Sequence, residues 1–380
     1  MKILVTNATR HSGMSVIRAL AGKGHQVIGA DDRRLPFGLK SRHTIALKLL
    51  PEEWSDVYPD ALRALLEAEK PDVFLPFSGS KVASEQRHVI GALTRLAVPE
   101  FSSYCNVADK RRLLDLCHAL HVPACRRLSV EEAQQRLRVA PAGAVSPVVV
   151  RPCRDFGGGA GVEIVACEAD LEAAIVRIER DFGASVISTY IPGPDSNMRS
   201  LTLLFDRSGK LIRYFVQRKL RLWPPRVGIS IMSVSANDDG LVKAVLPLFE
   251  HIGWIGPAEA EFKVDEATGV PHLLEINPRL PGTVRFATAC GVDFANLWCD
   301  IALGEPVEPR FDYVTDRLWL NTMAFARSLR RQKSTIRMLS EIRRRGLSGV
   351  TLNVPGLDDP GYLVGKAMLA LTGRSRFEAN

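Results

Sequence analysis

Long apolar runs are missing from this 380-residue chain: none approaches the ~20 residues needed to cross a bilayer. The opening segment MKILVTNATR also lacks the extended apolar core and small-residue cleavage site of a secretory signal. These absences place the protein, as an expectation, in the cytoplasm. Paired cysteine motifs are missing too. The seven cysteines, at 105, 117, 125, 153, 167, 290 and 299, stand singly, with no CxxC and no Cys/His pair at zinc-finger spacing. That argues against a structural zinc site and reads as reduced thiols. The glycine spacing GxGxxG is absent from the first strand–helix turn, NATRHSG, so the dinucleotide-binding fingerprint is not there. Internal repeats and long low-complexity tracts are lacking as well.

What remains has the balance of a globular protein, with 46% hydrophobic and 24% charged residues. The length suits two or three domains. The net charge is +8. No recognisable nucleic-acid motif accompanies it, which leaves general attraction to polyanions or local cations serving small anionic ligands. Part of the excess lies in the basic run from Arg327 to Arg345, which reads as a solvated helix face or a partner- or membrane-docking helix.

The first 102 residues alternate strand and helix. Lys2–Thr6, Gln26–Ala30 and 72–76 read as strands, with helices at 13–22, 59–69 and 81–97, which predicts a doubly wound α/β domain. From 103 to 305 the order is mixed, and it predicts an α+β arrangement of two small lobes. A helix near 109–120 comes first, then strand 148–151, the glycine-rich stretch 155–161, a helix near 169–180 and strand 185–191. Segments 200–206 and 211–219 look antiparallel. Helix 239–251, strands 258–265 and 270–276, and a helix around 292–303 complete the series. Residues 306–380 read as a basic, mostly helical extension, with WLNTMAFARSLRRQ and YLVGKAMLALTGR as its helical segments.

The segment EAEFKVDEATGVPHLLEINPRLPG, 259–282, carries the most chemistry. DEATG has hairpin-turn composition. A loop at 266–270 sets Glu261 opposite Glu275, and Asn277 shares the face of Glu275. Opposed like charges destabilise a sheet, and a divalent cation removes that penalty. Carboxylate and amide oxygens are hard ligands of the kind Mg²⁺ takes.

LLEINPRLPG resembles the metal-binding signature of the ATP-grasp superfamily, in particular its carbamoyl-phosphate-synthetase-like, carboxylate–amine ligase branch. The resemblance covers 103–305 well and 1–102 loosely, the latter as the small domain that often precedes the ATP-grasp module. It implies that Glu261, Glu275 and Asn277 hold two Mg²⁺ ions, with Mn²⁺ as the alternative metal, against the phosphates of ATP. It implies that Arg279 binds the transferred phosphoryl group or the acyl phosphate. VVVRPCRDFGGGAGV, 148–162, resembles the strand and flexible loop over the triphosphate, with Arg151 as phosphate cation and Gly157, Gly158 and Gly159 bringing backbone N–H groups close. Lys110 matches a second phosphate-binding lysine. STYIPGPD, 188–195, resembles the adenine-binding hinge, through Thr189, Tyr190 and Ile191. Thr189 stands where the family commonly has an acid, and Asp195 is the candidate replacement for the ribose-binding acid.

The activity implied is transfer of the γ-phosphoryl group to a carboxylate and capture of the acyl phosphate by an amine, giving an amide, ADP and phosphate. Within VQRKLRLWPPRVG, Arg218 is the chosen contact for the acceptor carboxylate, with Gln217, Lys219, Arg221 and Arg226 nearby and Trp223 as a wall. Small carboxylic acids and amines are the expected partners, and no specific nucleic acid. A thiol or carbamate-type nucleophile, or nucleotide binding without ligation, are the competing readings. The 306–380 segment is left open between capping the site, forming a homodimer, and touching a carrier or membrane surface.

Overall fold

The computed structural model describes residues 1–33, 35, 39–138, 146–322, 324–325, 335–353 and 359–371. Strand β1 (Lys2–Thr6), helix α1 (His11–Gly22), β2 (Gln26–Asp31), β3 (Ala46–Leu49), α2 (Tyr58–Glu69) and β4 (Val73–Leu75) open the chain. The four strands form one parallel sheet in the order β3-β2-β1-β4. Strand alternation sends Ile3, Val5, Val27, Val73 and Leu75 to one face and Leu4, Ile28 and Phe74 to the other. Two separate cores result, so the sheet is covered by helices on both sides, as its near-continuous apolar strands require. The helix expected at 81–97 is two: α3 (Ser80–Glu85) and α4 (Arg87–Leu93), broken at Gln86. The short strand β3 had no alternation strong enough to read.

Helices α5 (Phe101–Ala108) and α6 (Lys110–Ala119) follow, and Asp109 caps α6 by accepting from Arg111 N. Strand β5 (Arg127–Leu128), α7 (Val130–Arg138), β6 (Val148–Pro152), β7 (Glu163–Val165), α8 (Leu171–Phe182) and β8 (Ser185–Thr189) make a small lobe. Its antiparallel sheet runs β5-β8-β6-β7.

The third unit is a seven-stranded sheet. Strands β9 (Met198–Phe205), β10 (Leu211–Trp223) and β11 (Ile229–Ala236) precede α9 (Asp239–His251), β12 (Gly256–Val264) and β13 (Pro271–Asn277). Helices α10 (Val284–Ala289) and α11 (Phe294–Leu303) then pack back on α1 and β4. One face of the sheet, with Leu201, Leu203, Tyr214, Val216, Ala258, Ala260 and Phe262, is buried under α6 and α9. The alternate residues Ser200, Gln217, Lys219, Glu259 and Glu261 therefore share the other face.

Beyond residue 305 the expectation of a mostly helical extension needs correction. Helices α12 (Thr335–Arg345) and α13 (Pro360–Leu371) are present, but β14 (Leu318–Leu320) and β15 (Val350–Leu352) add two strands to the large sheet beside β11. Leu318 and Leu320 pack on Ile231 and Met232 while Trp319, on the opposite face, meets Phe286, and this alternate burial drives the strand where WLNT was expected to begin a helix. Residues 326–334 of the basic run, and 139–145 around PAGAVSP, lie outside the described residues. Asp359 is fully buried and accepts from Ser41 Oγ at 2.5 Å and Arg42 N at 3.2 Å, while Tyr362 OH donates to the Thr9 carbonyl at 3.1 Å. The segment before α13 is thereby fastened to the first domain. Among the described residues, no helix is long and apolar enough to cross a membrane.

Candidate active site

A cleft of about 870 Å³ opens where the first domain, the small lobe and the polar face of the large sheet meet. The hairpin β12–β13 forms its floor. Glu261 pairs directly with Glu275, and Glu259 with Asn277. This register depends on a β-bulge. Val264 pairs with Pro271 and Phe262 with Leu273, so Leu274 is an extra residue that shifts Glu275 into line with Glu261. The Leu274 carbonyl accepts from Arg151 Nη2 at 2.9 Å, which ties the hairpin to β6.

The acids are held by cations. Lys219 Nζ lies 2.6 Å from Glu261 Oε1, and Lys110 Nζ lies 3.2 Å from Glu275 Oε2. Glu259 accepts from Ser200 Oγ at 2.6 Å and from Asn277 Nδ2 at 3.3 Å. Burial, reinforced by Glu259 and Glu275 and opposed by Lys219, pushes the Glu261 carboxyl up to about 7. Burial works to lower the Lys219 pKa, but Glu261 and Glu259 outweigh it and hold the ammonium above its ordinary value. Arg279 Nη2 donates to Asp155 Oδ2 at 2.9 Å, and its Nη1 lies 4.0 Å from Glu259. Burial opposes ionisation of Asp155, yet Arg279 and Lys110 bring its carboxyl below the usual range.

At the back of the cleft, Thr189 ends β8 and Tyr190 and Ile191 follow it, and Lys263 Nζ stacks 4.6 Å from the Tyr190 ring centre. The Thr189 hydroxyl accepts from Arg126 N at 2.9 Å, so its side chain is engaged with the small lobe. The glycines of the loop between β6 and β7 adopt positive φ at 157, 158, 159 and 161, a region a side chain would resist.

Most of the residues expected from sequence therefore line one cleft: Lys110, Arg151, Gly157, Gly158, Gly159, Thr189, Tyr190, Ile191, Glu261, Glu275, Asn277 and Arg279. Two do not. Arg218 shares the strand face of Tyr214 and Val216, away from the cleft, whereas its neighbours Gln217 and Lys219 point in. Asp195 is outside the lining as well. Its carboxylate accepts from Leu222 N at 3.1 Å and Arg226 N at 3.0 Å, and so pins the end of β10 rather than facing a ribose. Sequence reading missed Glu259, Asp155 and Lys263 as cleft residues; it placed Gln217 and Lys219 beside the site, where they do point in, but chose Arg218 as the carboxylate contact. The alternation E-A-E-F-K from 259 to 263 was the available signal.

Among the described residues, no three Asp, Glu, His or Cys side chains converge as a finished metal cage. The donor set nevertheless suits a hard divalent cation: carboxylates and an amide on adjacent strands, crowded enough to force Glu261 upward, with ammonium groups now supplying positive charge.

The sequence family described as "ATP-grasp in the biosynthetic pathway with Ter operon" matches residues 181–323. Carbamoyl phosphate synthase large chain of Xylella fastidiosa is 28% identical over 206 residues, 50% of this chain; the match spans only 18% of that protein. D-alanine–D-alanine ligase of Gluconobacter oxydans is 26% identical over 305 residues, covering 72% of this chain and 95% of the ligase. The biotin carboxylase domain of Hydrogenobacter thermophilus 2-oxoglutarate carboxylase superposes with a TM-score of 0.66 at 20% identity, over 83% of this chain and 72% of that one. Family model, relatives and solved structures point the same way: the chain is similar to ATP-grasp proteins, most directly over residues 181–323, and it shares their fold.

Proposed function

We propose that this protein is a cytoplasmic ATP-dependent carboxylate–amine ligase of the carbamoyl-phosphate-synthetase-like branch. One observation carries the reading: Glu259, Glu261, Glu275, Asn277 and Arg279 share one cleft with Lys110, Arg151 and a glycine-rich loop. Simple nucleotide binding does not call for Arg279 beyond the acids. The D-alanine–D-alanine ligase relative supports ligation of amino-acid-like substrates.

In this reading residues 1–102 form the domain preceding the ATP-grasp module, 103–305 the module with its hinge near 188–195, and 306–380 an extension. Glu261, Glu275 and Asn277, with Glu259 beside them, would hold one or two Mg²⁺ ions, with Mn²⁺ as the alternative. Bound Mg²⁺ supplies charge neutralisation between the triphosphate and the attacking carboxylate. Lys110 and Arg151 orient the phosphates as fixed cations, and Arg279 stabilises charge on the transferring phosphoryl group. Tyr190 and Ile191 receive the adenine through their backbone. The loop 155–161 excludes water, so that an amine rather than solvent captures the acyl phosphate.

The test is incubation with ATP, Mg²⁺ and pooled amino acids, small carboxylic acids and amines, recording phosphate release and new masses together. A product with the mass of acid plus amine minus water establishes ligation. Glu275→Ala is expected to abolish turnover with the fold retained; wild-type-like activity in that variant rules out the metal assignment. Absence of ATP binding to the wild-type protein overturns the whole reading.

A further inference from the structure

Asp155 is the first acid of the glycine-rich loop and uses its two carboxylate oxygens differently. Oδ1 accepts from Gly157 N at 2.8 Å, which shapes the loop itself. Oδ2 accepts from Arg279 Nη2 at 2.9 Å, across 124 residues of sequence. Arg279 thus lies between two rival acids, Asp155 in contact and Glu259 at 4.0 Å. The same loop is seated at other points. Arg154 lies 5.0 Å over the Trp54 ring of the first domain, and Phe156 meets Phe182 edge-on at 5.1 Å. Gly159 sits so close to the Val227 carbonyl that a Cβ would come within 1.7 Å of it.

We propose that Asp155 is a positioning residue: it latches the closed glycine-rich loop to Arg279 and draws that guanidinium away from the metal-site acids. The proposal rests on the ligase reading for its catalytic consequence, although the latch itself is a property of the protein without substrates. The chemistry follows from competition for one cation. With the loop closed, Arg279 is held at the mouth of the phosphate site, where a transferring phosphoryl group needs it. With the loop open, Glu259 is the nearest remaining carboxylate, and Arg279 moves toward the cluster that should receive Mg²⁺. Loop closure and assembly of the phosphoryl-binding cation are then one event. Water is excluded only when the cation is in place.

Asp155→Asn separates this role from a local structural one, because an asparagine oxygen still accepts from Gly157 N while the charge facing Arg279 is gone. Two readouts apply. Amide hydrogen exchange across Phe156–Val162 in the nucleotide-free protein is expected to rise about tenfold, the scale of one partly exposed charge-assisted hydrogen bond, with α8 and β10 unchanged. In turnover, kcat for product should fall about tenfold, with the KM for ATP moving less than about threefold. ADP released per product formed should increase as water reaches the acyl phosphate. Asp155→Glu should recover part of the coupling. Unchanged exchange in Asp155→Asn overturns the latch, since the Gly157 turn alone then holds the loop. Unchanged coupling in an active ligase overturns the link to Arg279. A wild-type protein with no ligase turnover rejects the ligase reading, and the exchange measurement still decides the latch.

Discussion

Replacing Lys219 by methionine removes one positive charge from the most crowded part of the cleft and leaves the side-chain stem nearly intact. Lys219 is 6% exposed and its ammonium sits 2.6 Å from Glu261. Glu259 and Glu275 lie close enough to raise both partners, and Lys110 remains to serve Glu275 alone. Removing one member of a buried ion pair costs ~3–5 kcal/mol. The lower end applies, because burial and the neighbouring acids raise Glu261 to about 7, so it can take up a proton near neutral pH when the ammonium is gone and relieve part of the uncompensated charge. A loss of about 3 kcal/mol lowers Tm by roughly 6–12 °C in a unit of this size. The assay is thermal unfolding in EDTA and again in millimolar Mg²⁺. The variant should melt lower in EDTA and gain more from Mg²⁺ than the wild type, whose ammonium competes for the same oxygens. Equal melting in EDTA, or equal gains from Mg²⁺, would refute the idea that Lys219 compensates Glu261 and the acids beside it.

Three further outcomes are expected. Gly159→Ala places a side chain at φ +75° and against the Val227 carbonyl, so turnover should drop at least about tenfold while Tm is retained; unimpaired kcat would show that the loop need not dock there. Asp31 is raised to about 7 by burial and by its hydrogen bond with Asp32, so the proton it holds stabilises the fold fully below its unfolded pKa, and that contribution is lost as pH rises through 7. Asp31→Asn should remove this slope and melt progressively better than wild type between pH 5 and 8; parallel Tm–pH curves would contradict it. Arg218→Ala should change kcat/KM less than about threefold, since the side chain faces away from the cleft; a larger loss, measured by steady-state kinetics, would restore it to the site.

The acidic hairpin was legible in the sequence, though by a route that needs qualification. Counting from a 266–270 loop put Glu261 opposite Glu275, yet the strands actually close one residue earlier, at Val264 and Pro271. The bulge at Leu274 restores the register. Strand alternation cannot foresee a bulge, because the extra residue is chosen by what its carbonyl contacts, here Arg151 from a distant strand. Arg218 failed for a related reason. On a 13-residue strand, one residue of phase decides between cleft and core, and only packing of Tyr214 and Val216 under α9 fixes that phase. Asp195 reads as a free acid after a hinge, but a loop returning from residues 222–226 supplies two N–H groups that no local pattern announces. The parallel sheet of the first domain was clear from its apolar strands, whereas β11, β14 and β15 depend on neighbours far along the chain.

The fastening of residues 359–362 to the first domain bears on how the protein is made. The face of the first sheet that carries Ile3 and Val5 is completed by Phe286, Phe294 and Trp298, and finally by Tyr362. During synthesis the amino-terminal sheet emerges early, but one of its two cores stays open until more than 280 further residues have left the ribosome. Through that interval α1, with Ile17 and Leu20, covers only part of that apolar face. Folding of these residues is then not a succession of finished domains: strands made well before residue 286 are sealed only by segments that follow it.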